Sequence, residues 1–169
     1  NKNIPIIGLE PSCLFTLKDE ALVMGFGEKA ISVSKQAQLL EEFLASEAKA
    51  GALKLNLKEA SKPVLFHGHC HQKAFGTVSA LLEVLRLIPG AEPRLIESSC
   101  CGMAGSFGYE AAHQEVSMQM AELSLLPAVR AAPDALIVAD GTSCRHQIAD
   151  GASRQALHLA RALADHLLD

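Results

Sequence analysis

The stretch Ala135-Leu136-Ile137-Val138-Ala139-Asp140-Gly141-Thr142-Ser143-Cys144 sets an unbroken apolar run against a polar turn that ends in cysteine. A run this short, apolar without alternation, reads as a strand covered on both faces, since a half-exposed strand would alternate and a surface helix would show helical spacing. Ile4-Pro5-Ile6-Ile7, Val64-Leu65-Phe66 and Arg94-Leu95-Ile96 have the same character. Helical patterns lie between them. Lys35 to Lys49 carries Leu39, Leu40, Phe43 and Leu44 on one side, and Gln72 to Leu87 carries Val78, Leu81, Leu82 and Leu85. Tyr109 to Leu125 ends at Pro127, and Gln155 to Leu168 runs through Leu157, Leu159, Ala160, Leu163 and Leu167. Strand and helix alternate, which predicts an α/β fold: a three-layer domain with a mostly parallel sheet of about four strands and helices on both faces. Leu53-Lys54-Leu55-Asn56-Leu57 alternates and reads either as a short edge strand or as loop.

The chain has 169 residues, enough for one domain with its own core. Lys+Arg 15 against Asp+Glu 19 leaves a net charge of −4, which offers no field to a nucleic-acid backbone or an anionic membrane. No apolar run reaches the roughly 18 residues that span a bilayer, and no leader pattern opens the chain, so the expected location is cytoplasmic. Five cysteines cannot all pair, and a domain this apolar does not need disulfides, so the cysteines call for another chemistry. The opening Asn1-Lys2-Asn3 lacks a methionine, and with the odd cysteine it suggests a fragment of a longer protein.

Cys13, Cys70, the pair Cys100-Cys101, and Cys144 all fall just after an apolar strand and just before a helix. In a parallel sheet the carboxyl ends of the strands line one edge, where ligands bind, so thiols far apart in sequence can converge there. Helix starts also favour thiolate over thiol. In Cys100-Cys101-Gly102-Met103-Ala104-Gly105-Ser106-Phe107-Gly108 the small residues let backbone approach a bound ion or cluster, and their N–H groups can donate to sulfur. The run lacks the Lys-Ser or Lys-Thr and the glycine spacing of a phosphate loop. His67-Gly68-His69-Cys70-His71 and His146 supply imidazoles that either ligate a metal with the cysteines or hydrogen-bond around it. His113, His158 and His166 read as ordinary helix residues, and Glu41-Glu42 and Asp19-Glu20 as solvated helix faces. A Cys/His hydrolase would need one activated cysteine, and nothing in that mechanism asks for four more. A faint repeat aligns Ile6-Ile7-Gly8-Leu9-Glu10-Pro11-Ser12-Cys13 with Ile137-Val138-Ala139-Asp140-Gly141-Thr142-Ser143-Cys144.

The run Cys100 to Gly108, preceded by His69-Cys70-His71 and followed by Ser143-Cys144, resembles the cysteine-rich CCG domain of heterodisulfide reductase and glycolate oxidase iron–sulfur subunits. With Leu9-Glu10-Pro11-Ser12-Cys13 and the residues through Tyr109-Glu110, it is most similar to the C-terminal region of fused flavin and iron–sulfur oxidoreductases acting on D-2-hydroxy acids. The resemblance implies an iron–sulfur cluster of the 4Fe-4S type held by Cys70, Cys100, Cys101 and Cys144, with Cys13 as a fifth member. Gly102 and Gly105 would then lie against the cofactor, and His69, His71 and His146 would surround it or serve as alternative ligands. It further implies a complete second unit at about 60–169 and the end of a first unit at about 1–25. FAD and ferredoxin-like regions would stand upstream, and a separate acceptor would take the electrons. The fragment alone would be inactive. Where the family motif closes with Cys-x-x-Cys, the first position here is Gly141, and the matching position before Cys13 is Glu10. A zinc-binding structural or partner-docking module using the same thiols is the alternative, and a thiol-only redox domain is a third reading.

Overall fold

Short apolar runs become strands here because each finds a neighbour of the same kind; the computed structural model describes residues 4–168, and Asn1-Lys2-Asn3 lie outside them. β1 (Ile6–Gly8) leads into α1 (Pro11–Lys18), with Pro11 in the first turn, where a missing N–H costs nothing. A 3-10 turn at Glu20–Val23 and α2 (Glu28–Gln36) bring the chain to β2 (Ala37–Leu39), and α3 (Leu40–Lys49) follows. The next elements are β3 (Val64–His67), α4 (Cys70–Ala74), α5 (Val78–Leu85) and β4 (Pro93–Leu95). A 3-10 turn at Phe107–Tyr109 precedes α6 (Gln114–Glu122) and α7 (Leu125–Arg130), and β5 (Leu136–Ala139), α8 (Thr142–Ala152), β6 (Ala156–Leu157) and α9 (Leu159–Ala164) complete the fold.

The main sheet is four-stranded and parallel in the order β4-β3-β5-β6, and β1 and β2 form a separate parallel pair. The pleat sorts the core into two layers. Val64 and Phe66 of β3 and Val138 of β5 face α3, α5 and α9, where Ala45, Leu81, Leu85 and Leu159 meet them. Ile137 and Ala139 of β5 face the other way, onto Leu125 and Val129 of α7 and Cys144 and Ile148 of α8. The result is the expected three-layer arrangement. Each fully buried Leu, Ile or Phe adds about 1.5–3 kcal/mol of apolar burial, which stabilises these two layers. No helix among the described residues is long and apolar enough to cross a membrane.

Several boundaries differ from the sequence reading. The helical pattern at Lys35 to Lys49 is interrupted by β2: Ala37 and Leu39 are almost wholly buried, and the pairing Ile6↔Ala37 through Gly8↔Leu39 overrides local helical preference. The pattern Gln72 to Leu87 splits into α4 and α5 at Gly76, whose φ of +71° lies in the left-handed region. At Gln155 to Leu168, Ala156–Leu157 pairs with β5 before α9 begins. Pro127 lies in the first turn of α7 rather than ending a helix, and α6 has already stopped at Glu122. Leu53 to Leu57 is loop apart from one antiparallel bridge, Leu57↔Leu167.

The short sequence repeat coincides with a repeated arrangement. In β1-α1-β2-α3 and in β5-α8-β6-α9 the second strand pairs parallel to the first, with Ile6↔Ala37 and Ile137↔Ala156 in equivalent register. The two halves are joined by polar contacts. His158, which caps α9 by accepting from the Ala160 amide at 3.0 Å, lies 2.8 Å from the Leu9 carbonyl through its other ring nitrogen.

A buried polar network ties these elements together. Glu41 (2% exposed), Gln72 (0%) and Asp140 (1%) lie in the interior, so the reading of Glu41 as part of a solvated face is corrected. The Gln72 side-chain amide donates to Glu41 Oε1 at 2.5 Å and to Asp140 Oδ2 at 3.0 Å, and its carbonyl accepts from the His69 amide at 2.7 Å. Asp140 Oδ1 in turn accepts from the Leu159 amide at 2.9 Å. Burial, and then the Asp140 carboxylate, push the Glu41 carboxyl up to about 8. Folded Glu41 therefore keeps a proton that the unfolded chain releases near 4.5, so stability falls as pH rises from about 4.5 to about 8. Glu41→Gln keeps an acceptor for Gln72 and removes this titration. Chemical denaturation across that pH range is expected to show a loss of a few kcal/mol in the wild type that the variant lacks; identical slopes would refute the assignment.

Candidate metal centre

The sheet order places β3 between β4 and β5, so the chain leaves β3 in one direction and returns on its other side. The carboxyl ends of β3 and β5 border the crevice such a reversal opens. β3 ends at His67 and passes through Gly68 and His69 to Cys70 at the start of α4. The segment after β4 reaches Cys100 and Cys101, and β5 runs through Asp140 and Gly141 to Cys144 in the first turn of α8.

Four of the five cysteines meet at this edge. Their sulfurs interact in the order Cys70, Cys100, Cys101, Cys144. Hydrogen bonds from Cys101 and then Cys70, helped by the Gly102 and Ala104 amides, hold Cys100 far below the ordinary thiol value. Cys144 is likewise held low, by Cys101 and despite its burial, with His67 and His69 adding to the effect. Donation to these thiolates, together with burial, pushes Cys70 and Cys101 up. A metal bound by these sulfurs would displace whatever thiol protons they carry. Exposure falls along the set: Cys70 is exposed, Cys100 half-buried, and Cys101 and Cys144 buried.

Two groups of side chains bring three possible ligand atoms within 4.8 Å of one another: His67, Cys101 and Cys144, all buried, and His69, Cys70 and His71. Cys13 belongs to neither. It is exposed in the first turn of α1, the helix equivalent to α8, and its neighbour Phe15 stacks on His71 at 5.8 Å between ring centroids. His69 caps α4 by accepting from the His71 amide at 3.2 Å, and its Nδ1 lies 3.8 Å from Cys70 Sγ. Burial lowers the His69 pKa, which keeps the imidazole neutral as a ligand or a cap requires. His146 is drawn away to Tyr109, whose hydroxyl lies 2.6 Å from its Nδ1.

The glycines have separate reasons. Gly102 has φ +93°, a Cβ there would lie 2.1 Å from the Ser117 carbonyl oxygen, and its amide donates to Cys100 Sγ at 3.3 Å. Gly105, at φ +67°, would meet nothing within 4 Å, so its conformation, rather than a close neighbour, calls for glycine. A Cβ at Gly141 would fall 2.5 Å from the His69 ring and 3.1 Å from Cys144 Sγ, so His69 occupies the space a side chain at 141 would need. Without a side chain Gly141 cannot cap α8. Glu10, from the other half, does so by accepting from the Thr142 amide and hydroxyl, each at 2.8 Å. These bonds and one from Ser12 hold the Glu10 carboxyl low against its partial burial. Arg145 braces the same turn from below, donating to the Ala139 carbonyl at 2.9 Å and the Asp140 carbonyl at 2.6 Å.

The sequence reading missed Glu41, Gln72, Asp140 and His158 as a unit and passed over His67 in favour of its neighbours. For Glu41 a signal was present: it precedes the buried Ala45 by four residues, on the same face of α3. For His67 the pleat was the signal, since it shares the face of Leu65, which packs against the layer containing Cys101 and Cys144.

No protein-family model matches the chain, and no solved structure matches it. Among curated proteins it is similar to a subunit of the anaerobic glycerol-3-phosphate dehydrogenase of Escherichia coli (strain K12), 32% identical over 168 residues, which cover 96% of this chain and 41% of that protein. It is also similar to D-2-hydroxyglutarate dehydrogenase of Escherichia coli (strain K12), 28% identical over 171 residues, covering 96% of the chain and 15% of that protein. The corresponding enzyme of Pantoea ananatis is 29% identical over 147 residues, covering 86% and 14%. The chain therefore spans less than half the length of the curated relatives it matches, and its homologues are oxidoreductases.

Proposed function

We propose that the chain is an iron–sulfur electron-transfer portion of a larger flavin-linked oxidoreductase whose substrate is a D-2-hydroxy acid. The observation that carries this reading is the meeting of four sulfurs from three strand ends, where nucleophilic catalysis would call for one. The donor set fits the group: thiolates are the usual ligands of a 4Fe-4S cluster, and a buried imidazole nitrogen of His67 has no hydrogen-bond partner beside two of them. Two relatives bear the name D-2-hydroxyglutarate dehydrogenase and a third that of a subunit of anaerobic glycerol-3-phosphate dehydrogenase. FAD would sit elsewhere on the same polypeptide or on a neighbouring subunit.

When bound, the cluster would take up and release single electrons. The chain's own residues would hold and insulate it. Cys70, Cys100, Cys101 and Cys144 are the proposed ligands, with Cys13, on the equivalent helix of the other half, as a candidate for the neighbouring unit. The Gly102 amide donates to Cys100 Sγ and removes charge from that sulfur. Lys73 fastens the loop before Cys100, donating to the Ser98 and Ser99 carbonyls. Cys101 and Cys144 lie inside the protein, away from water, whereas Cys70 lies at the surface, on the side from which an electron partner would approach.

A zinc site on the same thiols is the second reading, favoured by the compact His67, Cys101, Cys144 group. Anaerobic purification with iron, sulfide and zinc analysis separates the two. Iron and acid-labile sulfide with broad visible absorbance are expected; stoichiometric zinc without iron would sink the electron-transfer role. Cys101→Ser is expected to abolish most of the bound iron and the absorbance. Unchanged metal content in that variant would remove Cys101 from the ligand set.

A further inference from the structure

We propose that His67 is itself a ligand of the bound metal, through Nε2, alongside Cys101 and Cys144. The inference rests on the reading that these cysteines hold a metal, and it names a donor that the cysteine pattern does not; with His67, Cys101 and Cys144 bound, one of Cys70 and Cys100 completes the four positions of a 4Fe-4S cluster.

His67 closes β3 and is 1% exposed. Its Nδ1 lies 2.9 Å from Ser98 Oγ. That hydroxyl directs its own hydrogen toward the Ile96 carbonyl at 3.4 Å, and Lys73 Nζ donates to its oxygen at 3.4 Å. With Nδ1 engaged by Ser98, Nε2 is the ring nitrogen left beside the sulfurs. Nε2 is fully buried and has no hydrogen-bond partner. Burying a polar nitrogen in this way is unfavourable unless something completes it. Its neighbours within 4.8 Å are the two buried sulfurs of Cys101 and Cys144.

Two of the other imidazoles near the site are otherwise engaged. His69 accepts a backbone hydrogen bond as a helix cap, and His146 is bonded to Tyr109. His71, half-exposed and stacked between His69 and Phe15, also has an Nδ1 without a hydrogen-bond partner, but it lies beside the exposed Cys70 and not beside the two buried sulfurs. A buried ring nitrogen without a hydrogen-bond partner beside two buried sulfurs, each from a different strand end, is the geometry of a mixed nitrogen–sulfur metal site. A neutral imidazole adds no negative charge, so it makes reduction easier than another thiolate would.

The test uses the 169-residue chain labelled with nitrogen-15 at histidine. It is loaded without oxygen, in one sample with iron and sulfide and then reduced, and in another with Co(II). Both forms are read by electron–nuclear double resonance. A directly coordinated nitrogen is expected in the wild type, retained in His69→Ala and His71→Ala, and lost in His67→Ala. Should His67→Ala fail to fold or load, survival of the signal in the other two variants together supports the assignment. Absence of the signal in the loaded wild type, or its persistence in loaded His67→Ala, overturns it. An iron–sulfur form lacking the signal removes His67 and leaves the electron-transfer reading standing. The signal on cobalt in a chain that takes up no iron or sulfide keeps His67 and removes that reading.

Discussion

The Gln72 side chain is the joint on which the arrangement turns. Its amide bridges two buried carboxyl groups, Glu41 of α3 and Asp140 at the end of β5, while its carbonyl holds the His69 amide in the turn that presents Cys70. Two carboxylates cannot share one neutral donor at this depth without large repulsion, so one must hold a proton, and the balance falls on Glu41. The proton, the amide and the Asp140 carboxylate together connect an element of the first half, the site turn and α9. Replacing any one of them would leave a buried polar atom unmatched, which is more damaging than never having buried it.

On that joint the sulfur site is assembled by topology. No two of the three strand ends are adjacent in sequence, yet the parallel order brings them to one edge, and the chain needs only short turns to place a cysteine at each. The turns are held by backbone-directed contacts: Lys73 on the Ser98 and Ser99 carbonyls, Arg145 on the Ala139 and Asp140 carbonyls, and the tight seat of Gly102 against Ser117. Such contacts set sulfur positions before any metal arrives, which lowers the reorganisation needed on binding.

Much of this was legible in the sequence because buried parallel strands write themselves as apolar runs. Val64 to Phe66 and Ala135 to Ala139 could be placed, and the cysteines immediately beyond them followed. β2 and β6 were hidden, since each is two or three residues long and continues into a helix whose periodicity absorbs it. Glu41 was misjudged because its acidic neighbour Glu42 does face outward, where it caps α3 and pairs with Lys18, and because its partner Gln72 lies 31 positions away. His67 was obscured by its place at the end of an apolar run, where a histidine draws less notice than the pair flanking Cys70. Side chains whose roles depend on distant partners leave little trace in local pattern.

The cap that Glu10 places on α8 carries a consequence for the site's electrostatics. The first turn of α8 holds a limited number of free amide groups and one positive dipole end; the Glu10 carboxylate accepts from the Thr142 amide there, and Cys144 stands two residues further along the same turn. Negative charge on one side of the pseudo-repeat is thus felt directly by sulfur on the other. The two halves share an electric field as well as a surface, so any movement of α1 relative to α8 would alter how readily the buried sulfur carries charge.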